Sequence, residues 1–428
     1  MTVGLVLIAV FLAAILFGLP LSMGMGLGTM ASLWVGKMDI STLPMLIQKG
    51  ANSYTLVSIP YFILAANIMN TGGITNRIFD FCESLCCWMH GGLAQVNVLA
   101  SVIFAGISGT SSGDAAGLGM IEIEAMTRKG YDRKWSVGIT MASSILGPII
   151  PPSVGFIVYA SLAGVSVAEL FVAGLLPGIV LALLLMVANY FIAVSGKVDC
   201  PPPVKFDPAR VVYTFKRGFF ALLAPVIILA SLLSGMATAT ETGVIAVVYA
   251  FIASAIYREL HWKDLVETLK NTIESSAVIM FLIGMGYGIG YVLTLEKIPH
   301  KLTQLLLGIT TDKNVLLLLI LIFLTILGMF MEATVIRIIT VPLLLPVVNA
   351  MGINLLHFGV VHTLIGLLGT MTPPVGSNLM IMCTVAKMKY SDVVKATLPM
   401  WVPLILSVII ITYVPIITLW LPTIVYGH

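Results

Sequence analysis

Eleven stretches of this chain carry no Asp, Glu, Lys or Arg, and several are too long for one helix to cross a bilayer. Among the longest are Thr2–Gly36, Trp135–Ala168, Ile338–Ala386 and Ala396–His428. A spanning helix uses about 20 residues, roughly 17–25. Backbone in hydrocarbon has no water to bond, so only helices or a closed barrel survive there. Barrel strands alternate apolar and polar residues, whereas here apolar residues run unbroken. Hydrophobic residues make up 59% of the 428 residues and charged residues only 10%, against about 25% charged in a soluble domain. The chain therefore reads as an all-α polytopic membrane protein. A net charge of +3, with the bases scattered among short loops, excludes a nucleic-acid stripe or an acidic tail. Cys82, Cys86, Cys87, Cys200 and Cys383 form no CxxC pair and read as small apolar fillers. The N-terminal stretch lacks a basic leader and an A-x-A cleavage site, so it reads as a mature membrane segment.

The most polar interruption, Lys197–Arg217 with its Cys200-Pro201-Pro202-Pro203, lies near the midpoint. Shifting the chain by 222 residues superimposes Gly106 on Gly328, Gly130 on Gly352, Gly147 on Gly369, Pro151-Pro152 on Pro373-Pro374 and Pro177 on Pro399. A shared Pro-Pro pair with a further Pro at the same distance is poorly explained by chance, so the spacing predicts a duplication. Repeat 1 covers 1–196, a cytoplasmic linker 197–217, and repeat 2 covers 218–428. Each repeat opens with three spans, about Val3–Gly18, Leu21–Gly36 and Tyr54–Thr71 in the first, and Gly218–Gly235, Thr240–Tyr257 and Ser275–Leu295 in the second. A pair of short helices follows as a re-entrant hairpin, about 90–127 and about 314–350. Next comes a helix broken by Pro-Pro, 135–163 and 357–386, and then a last span.

Five crossings per repeat turn the second half upside down relative to the first, the inverted repeat of secondary transporters. Loop charges agree. Arg128–Lys134 carries four Lys or Arg, the linker five, and Arg258–Glu274 and Lys387–Lys395 three each. All fall on one side, which the positive-inside rule makes the cytoplasm. Both termini then lie in the periplasm. Glu296–Lys313 disagrees, with three bases on the outer side.

Two constellations carry chemistry, each a hairpin tip facing a helix break. The first is Gly106–Asp114 with Gly147–Ser153; the second is Gly328–Thr334 with Gly369–Asn378. Proline removes a donor and clashes with an earlier carbonyl, so Pro-Pro frees carbonyls that a helix would consume. Irregular backbone at membrane depth persists only when buried or lining a cavity. Freed carbonyls and hydroxyls are hard oxygen ligands suited to a small cation, which nominates Ser108, Gly109, Ser112, Gly147, Pro148, Gly328, Met331, Gly369, Thr372 and Gly376 as its ligands. Half-helix N-termini suit a carboxylate. Thr110, Ser111, Ser153, Glu332, Thr334 and Thr372 are the candidate substrate residues. Kinks and small-residue packing would explain either motif alone; their duplication favours function.

Ionisable groups in apolar runs are costly. They mark function by default; the alternative for Asp114 is a cap on the second hairpin helix, and for Glu122 and Glu124 a place near the hairpin mouth with Arg128. Arg337 either neutralises Glu332 or is structural. An intramembrane protease needs a base beside Ser111, and the spacing pairs none of His90, His357 and His362 with it. A plain channel leaves two paired helix breaks unexplained. The chain is not expected to be an enzyme or to use an organic cofactor.

The stretches Ile59–Ala65, Gly91–Ser101, Phe104–Gly109, Ile145–Ser153, Thr372–Asn378 and Ile411–Tyr413 together resemble the large membrane subunit of tripartite ATP-independent periplasmic (TRAP) transporters, across essentially the whole chain. The tips look most similar to the sialic-acid branch. The resemblance implies sodium-coupled uptake of an organic acid across a bacterial inner membrane. It also implies an elevator motion of a transport domain against a scaffold, and two partners: a periplasmic substrate-binding protein and a small four-helix membrane subunit. Glu332-Ala333 stands where many relatives have Asp-Pro, and Ser111-Ser112-Gly113 where Ala-Val-Ala is commoner. Transfer of C4-dicarboxylate specificity is therefore not implied. N-acetylneuraminate, a sugar acid with many hydroxyls, is favoured, with a C4-dicarboxylate as the alternative.

Overall fold

Glycine and proline decide where these helices stop. In the computed structural model, which describes residues 2–427, the long first run folds as two short helices. Gly18 takes a left-handed φ of 74° and Pro20 caps the second helix. The two then pack against each other, as the split at Gly18-Leu19-Pro20 predicts. The first half contains α1 (Thr2–Leu16), α2 (Leu21–Val35), α3 (Thr42–Ala51), α4 (Ser58–Thr71), α5 (Ile74–Cys86), α6 (Gly92–Ser108), α7 (Ser111–Ala116), α8 (Leu118–Arg128), α9 (Arg133–Ser143), α10 (Val154–Ala163) and α11 (Val167–Val194). The second contains α12 (Pro208–Leu233), α13 (Ala239–Tyr257), α14 (Trp262–Leu295), α15 (Ile298–Ile309), α16 (Lys313–Gly328), α17 (Ala333–Ala350), α18 (Leu355–Thr370), α19 (Ser377–Ala386), α20 (Tyr390–Tyr413) and α21 (Ile416–Tyr426). Among the described residues there is no strand.

Among the described residues, six helices are long and apolar enough to cross a membrane, and α4 with α5, bent by 70°, makes a seventh by length and composition. Large apolar side chains such as Phe191, Val226, Val248 and Val402 remain exposed on them. No soluble fold would leave so much apolar surface uncovered; lipid covers it. The surface helices keep one stripe buried, as in α13, where Gly243, Ala246, Ala250 and Ala253 face inward. The broken helices are the inverse. Every residue of α18 from His357 to Thr370 is buried, and so is every residue of α10 from Val154 to Ala160.

Several bounds differ from the sequence reading. The linker is half helical, because Asp207 caps α12 and Pro208 sits at its first position, where its missing N–H costs nothing. The third span of the second half starts at Trp262 rather than Ser275. The amphipathic helices α3, α5 and α15 were not expected, since their polar faces read as loop. The outlying basic loop Glu296–Lys313 is mostly α15. α17 has 18 residues and counts by length among the six, so length alone does not mark it as re-entrant.

Contacts gather the four basic segments on one face. Arg133 donates to the Ala386 carbonyl at 2.7 Å. The Asp132 N–H donates to the Asp199 carbonyl at 2.9 Å. Glu83 binds Lys129 and also Arg210 at 3.2 Å. Arg77 binds Glu259 at 2.6 Å.

Candidate functional site

Each hairpin tip rests on the break of its own half. α6 ends at Gly109, whose φ is 66° and where a Cβ would lie 2.5 Å from the Pro152 carbonyl oxygen, so only glycine fits. Its own carbonyl accepts from the Val154 N–H at 3.2 Å. In the second half the Met329 carbonyl accepts from the N–H groups of Val375 at 3.2 Å and Gly376 at 3.0 Å. The N–H groups that open each half-helix after the break are thus bonded to a tip. The peptide bonds Pro151–Pro152 and Pro373–Pro374 are both cis.

The halves also meet crosswise. α10 packs on α17, and α19 packs on α7. The Asn378 amide donates to the Ser111 hydroxyl at 2.7 Å and to the Thr370 hydroxyl at 3.0 Å. Between the tips lies a cavity of about 600 Å³, walled by both tips, both breaks, α14 and the α1–α2 turn. Of the candidate substrate residues, Thr110, Ser111, Glu332 and Thr334 line it. Ser153 and Thr372 lie behind the wall. The Ser153 hydroxyl donates to the Pro148 carbonyl at 2.6 Å and accepts from the Phe156 N–H as a helix cap. The Thr372 hydroxyl donates to the Leu368 carbonyl at 2.9 Å.

Of the candidate cation ligands, Gly109, Ser112 and Pro148 line the cavity. The others sit deeper, in two places. At Gly147 a Cβ would meet an Asp114 carboxylate oxygen at 2.5 Å and the Thr110 carbonyl at 2.9 Å. The Ser108 hydroxyl donates to that same Thr110 carbonyl at 3.3 Å. At Gly376 a Cβ would lie 2.9 Å from the Thr370 carbonyl and 3.1 Å from the Thr372 carbonyl. Gly328 and Gly369 instead let α16 and α18 touch, a Cβ on Gly328 falling 2.5 Å from the Gly369 Cα. Met331 is buried beside them. Among the described residues no group of three or more His, Cys, Asp or Glu could hold a metal ion. A cation here would be held by carbonyls, hydroxyls and one carboxylate, a donor set suited to a hard ion.

Of the two readings of Asp114, the cap is excluded. Thr110 caps α7, its hydroxyl accepting from the Gly113 N–H at 3.1 Å. Asp114 is 2% exposed, and neither of its carboxylate oxygens has a hydrogen-bond partner. Glu124 does pair with Arg128, at 2.5 Å, but Glu122 is buried away from it. Glu332 caps α17, accepting from the Thr334 N–H at 2.8 Å and the Thr334 hydroxyl at 3.1 Å. The sequence reading missed Asn378, Ser377, Thr370 and Glu274 as cavity residues. Thr370, Ser377 and Asn378 stood inside the motif singled out; Glu274 gave no signal beyond ending a charged segment. Ser111 bonds to Ser144 and Asn378, and His357 and His362 bond to threonines.

Residues 8–417 match the family described as the tripartite ATP-independent periplasmic transporter, DctM component. The chain belongs to this family. It is 36% identical over 382 residues to the sialic acid TRAP transporter large permease of Vibrio cholerae, covering 89% of this chain and 88% of that one. It is 34% identical over 450 residues to the C4-dicarboxylate TRAP transporter large permease of the same organism, covering 100% and 99%. It is 32% identical over 413 residues to the 2,3-diketo-L-gulonate TRAP transporter large permease of Escherichia coli, covering 96% and 97%. The solved YdaH transporter of Alcanivorax borkumensis shares the fold, with a TM-score of 0.64 at 12% identity, covering 90% of this chain and 88% of that one. The chain is thus a multi-span TRAP large permease, a transport protein rather than an enzyme.

Proposed function

We propose that this TRAP large permease takes up an organic acid across a bacterial inner membrane by sodium-coupled secondary active transport. N-acetylneuraminate is the favoured cargo, and a C4-dicarboxylate or another carboxylate the alternative. The acid is delivered by a periplasmic substrate-binding protein, and a small four-helix membrane subunit completes the assembly. The observation that carries this reading is the cavity, lined by tips and breaks of both halves and bridged by the Asn378–Ser111 bond. Its polar wall of hydroxyls, an amide and helix N-termini suits an anion with hydroxyl groups. The orphaned Asp114 carboxylate beside Gly147 and the converging carbonyls at Gly376 suit one sodium ion each. Two inverted repeats account for the matched tip-on-break contacts and for the basic face. Because α14 contributes the facing wall, an elevator motion of the tips and breaks against α1–α5 and α12–α15 would carry the cavity across.

The name of the sialic acid relative favours N-acetylneuraminate, and so do the hydroxyl-rich wall and an acidic Glu332 that would repel a second carboxylate. The test is uptake of N-acetylneuraminate, succinate and 2,3-diketo-L-gulonate into proteoliposomes holding both membrane subunits. It is run with and without a sodium gradient and the binding protein. Accumulation of one acid only when both are present is expected; accumulation without sodium contradicts the coupling. For topology, single cysteines at Lys205 and Lys387 are expected to label from the cytoplasm and one at Gly352 from the periplasm. Labelling of all three from one side rules out the inversion.

A further inference from the structure

Arg337 sits in the second turn of α17, 2% exposed, and lines the cavity. Its guanidinium reaches across to the other half and lies on the first turn of α10. A Cβ on Gly155 would fall 2.8 Å from its Nη2, 3.1 Å from Cζ and 3.2 Å from Nη1. Its Nε has no hydrogen-bond partner, and among the described residues no carboxylate lies within ion-pair distance of it. Glu332 is close enough to favour the charge but makes no ion pair with it, its two oxygens accepting instead from the backbone and hydroxyl of Thr334. Among the described residues, a buried cation therefore rests against the positive end of a helix with no carboxylate bonded to it. An uncompensated buried charge is costly, and a helix N-terminus adds to the positive potential rather than relieving it.

We infer that Arg337, with the N-terminal turn of α10, is the subsite for the cargo's carboxylate, and that the cargo carries a single carboxylate on a hydroxylated body. This rests on the transport reading above and names the chemistry that the cavity selects. The planar guanidinium binds a carboxylate through two parallel bonds, and Gly155 leaves room for it to lie flat. Thr110, Ser111, Thr334 and Asn378 remain for hydroxyls and amides. Glu332 accepts from a cargo hydroxyl and repels a second carboxylate. The geometry thus sets a sugar monocarboxylate apart from a dicarboxylate.

The test measures calorimetric binding of N-acetylneuraminate, its methyl ester, 2,3-diketo-L-gulonate and succinate to the two-subunit membrane complex in nanodiscs at saturating sodium. Wild type is expected to bind a sugar acid more tightly than its ester or succinate. Arg337→Gln is expected to weaken the acid about ten- to hundred-fold and to leave the ester unchanged. Gly155→Ala keeps the charge and favours the helix while displacing the guanidinium, and an intermediate loss is expected; it decides the matter if Arg337→Gln fails to assemble. Acid affinity within twofold of wild type in both variants overturns the assignment while leaving the transport reading intact. Tighter binding of succinate than of either sugar acid overturns the single-carboxylate inference. Wild type that binds none of these acids overturns the transport reading with it.

Discussion

The two tips share a backbone frame and differ in charge. In both, a tip carbonyl accepts from the N–H that opens the half-helix after the break: Gly109 from Val154, and Met329 from Gly376. The side chains diverge from there. The first tip is hydroxyl-rich, with Ser111 buried, Ser112 exposed and a buried carboxylate on Asp114 that accepts no hydrogen bond. The second exposes Glu332 and buries the cationic Arg337. Even the superimposed glycines serve different neighbours. Gly328 and Gly369 touch each other, whereas Gly106 meets Pro225 and Gly147 meets Asp114. A duplicated frame fixes where backbone is freed, and later substitution decides which half favours a cation and which an anion.

The sharpest way to break this comparison is to fill its glycines. Gly328→Ala drives a Cβ into the Gly369 backbone, so α16 and α18 must part. Overpacking of this kind costs about 1–3 kcal/mol, and thermal unfolding of the purified complex is expected to fall by several degrees. Gly147→Ala meets the Asp114 carboxylate first and a single backbone atom, the Thr110 carbonyl oxygen at 2.9 Å, so its expected signature is altered sodium dependence with a smaller loss of stability. Equal destabilisation by both would mean that the two halves pack alike. Next in size is Glu332→Gln, which keeps the helix cap but removes the charge. Uptake is expected to fall about ten- to hundred-fold with expression and subunit assembly unchanged; transport at wild-type rate and affinity would remove Glu332 from the site. Asp114→Asn is expected to weaken sodium activation of uptake about tenfold, the scale of one charge-assisted contact. It is not expected to lower stability without sodium, because the native carboxylate has no partner to lose. An unshifted sodium titration would leave Asp114 structural.

How much of this was legible follows the physics of each signal. The Pro-Pro breaks and the glycine tips announce themselves, because proline and glycine act on the backbone locally. Thr110, Ser111, Glu332 and Thr334 reached the cavity as read, since a tip projects what it carries. Ser153 and Thr372 did not, because a short hydroxyl beside a free carbonyl bonds to it first. Asp114 stayed open between site and cap because its position in the first turn is compatible with both, and only the competing Thr110 hydroxyl excludes the cap. Arg337 was visible as a charge in an apolar run, but its position on Gly155 joins residues 182 apart in sequence, which no local pattern encodes. α3, α5 and α15 were lost for the opposite reason, their polar faces hiding a helical period.

The smallest expected effect concerns the bond that joins the halves. Ser111→Ala removes one acceptor for Asn378 and is expected to weaken cargo binding by up to about tenfold, the scale of about 0.5–1.5 kcal/mol for one such bond. In a double-mutant cycle with Asn378→Ala the two losses are expected to be less than additive; full additivity would mean that the contact does not matter to the site.

The most direct measurement is a cryo-electron microscopy map of the two-subunit complex in nanodiscs with saturating sodium and N-acetylneuraminate. Density for the acid is expected between the two tips, its carboxylate at Arg337 and Gly155 and its hydroxyls against Ser111, Thr334 and Glu332. Cargo density that touches only one half, or that lies outside this cavity, would contradict the account of one site built from two tips.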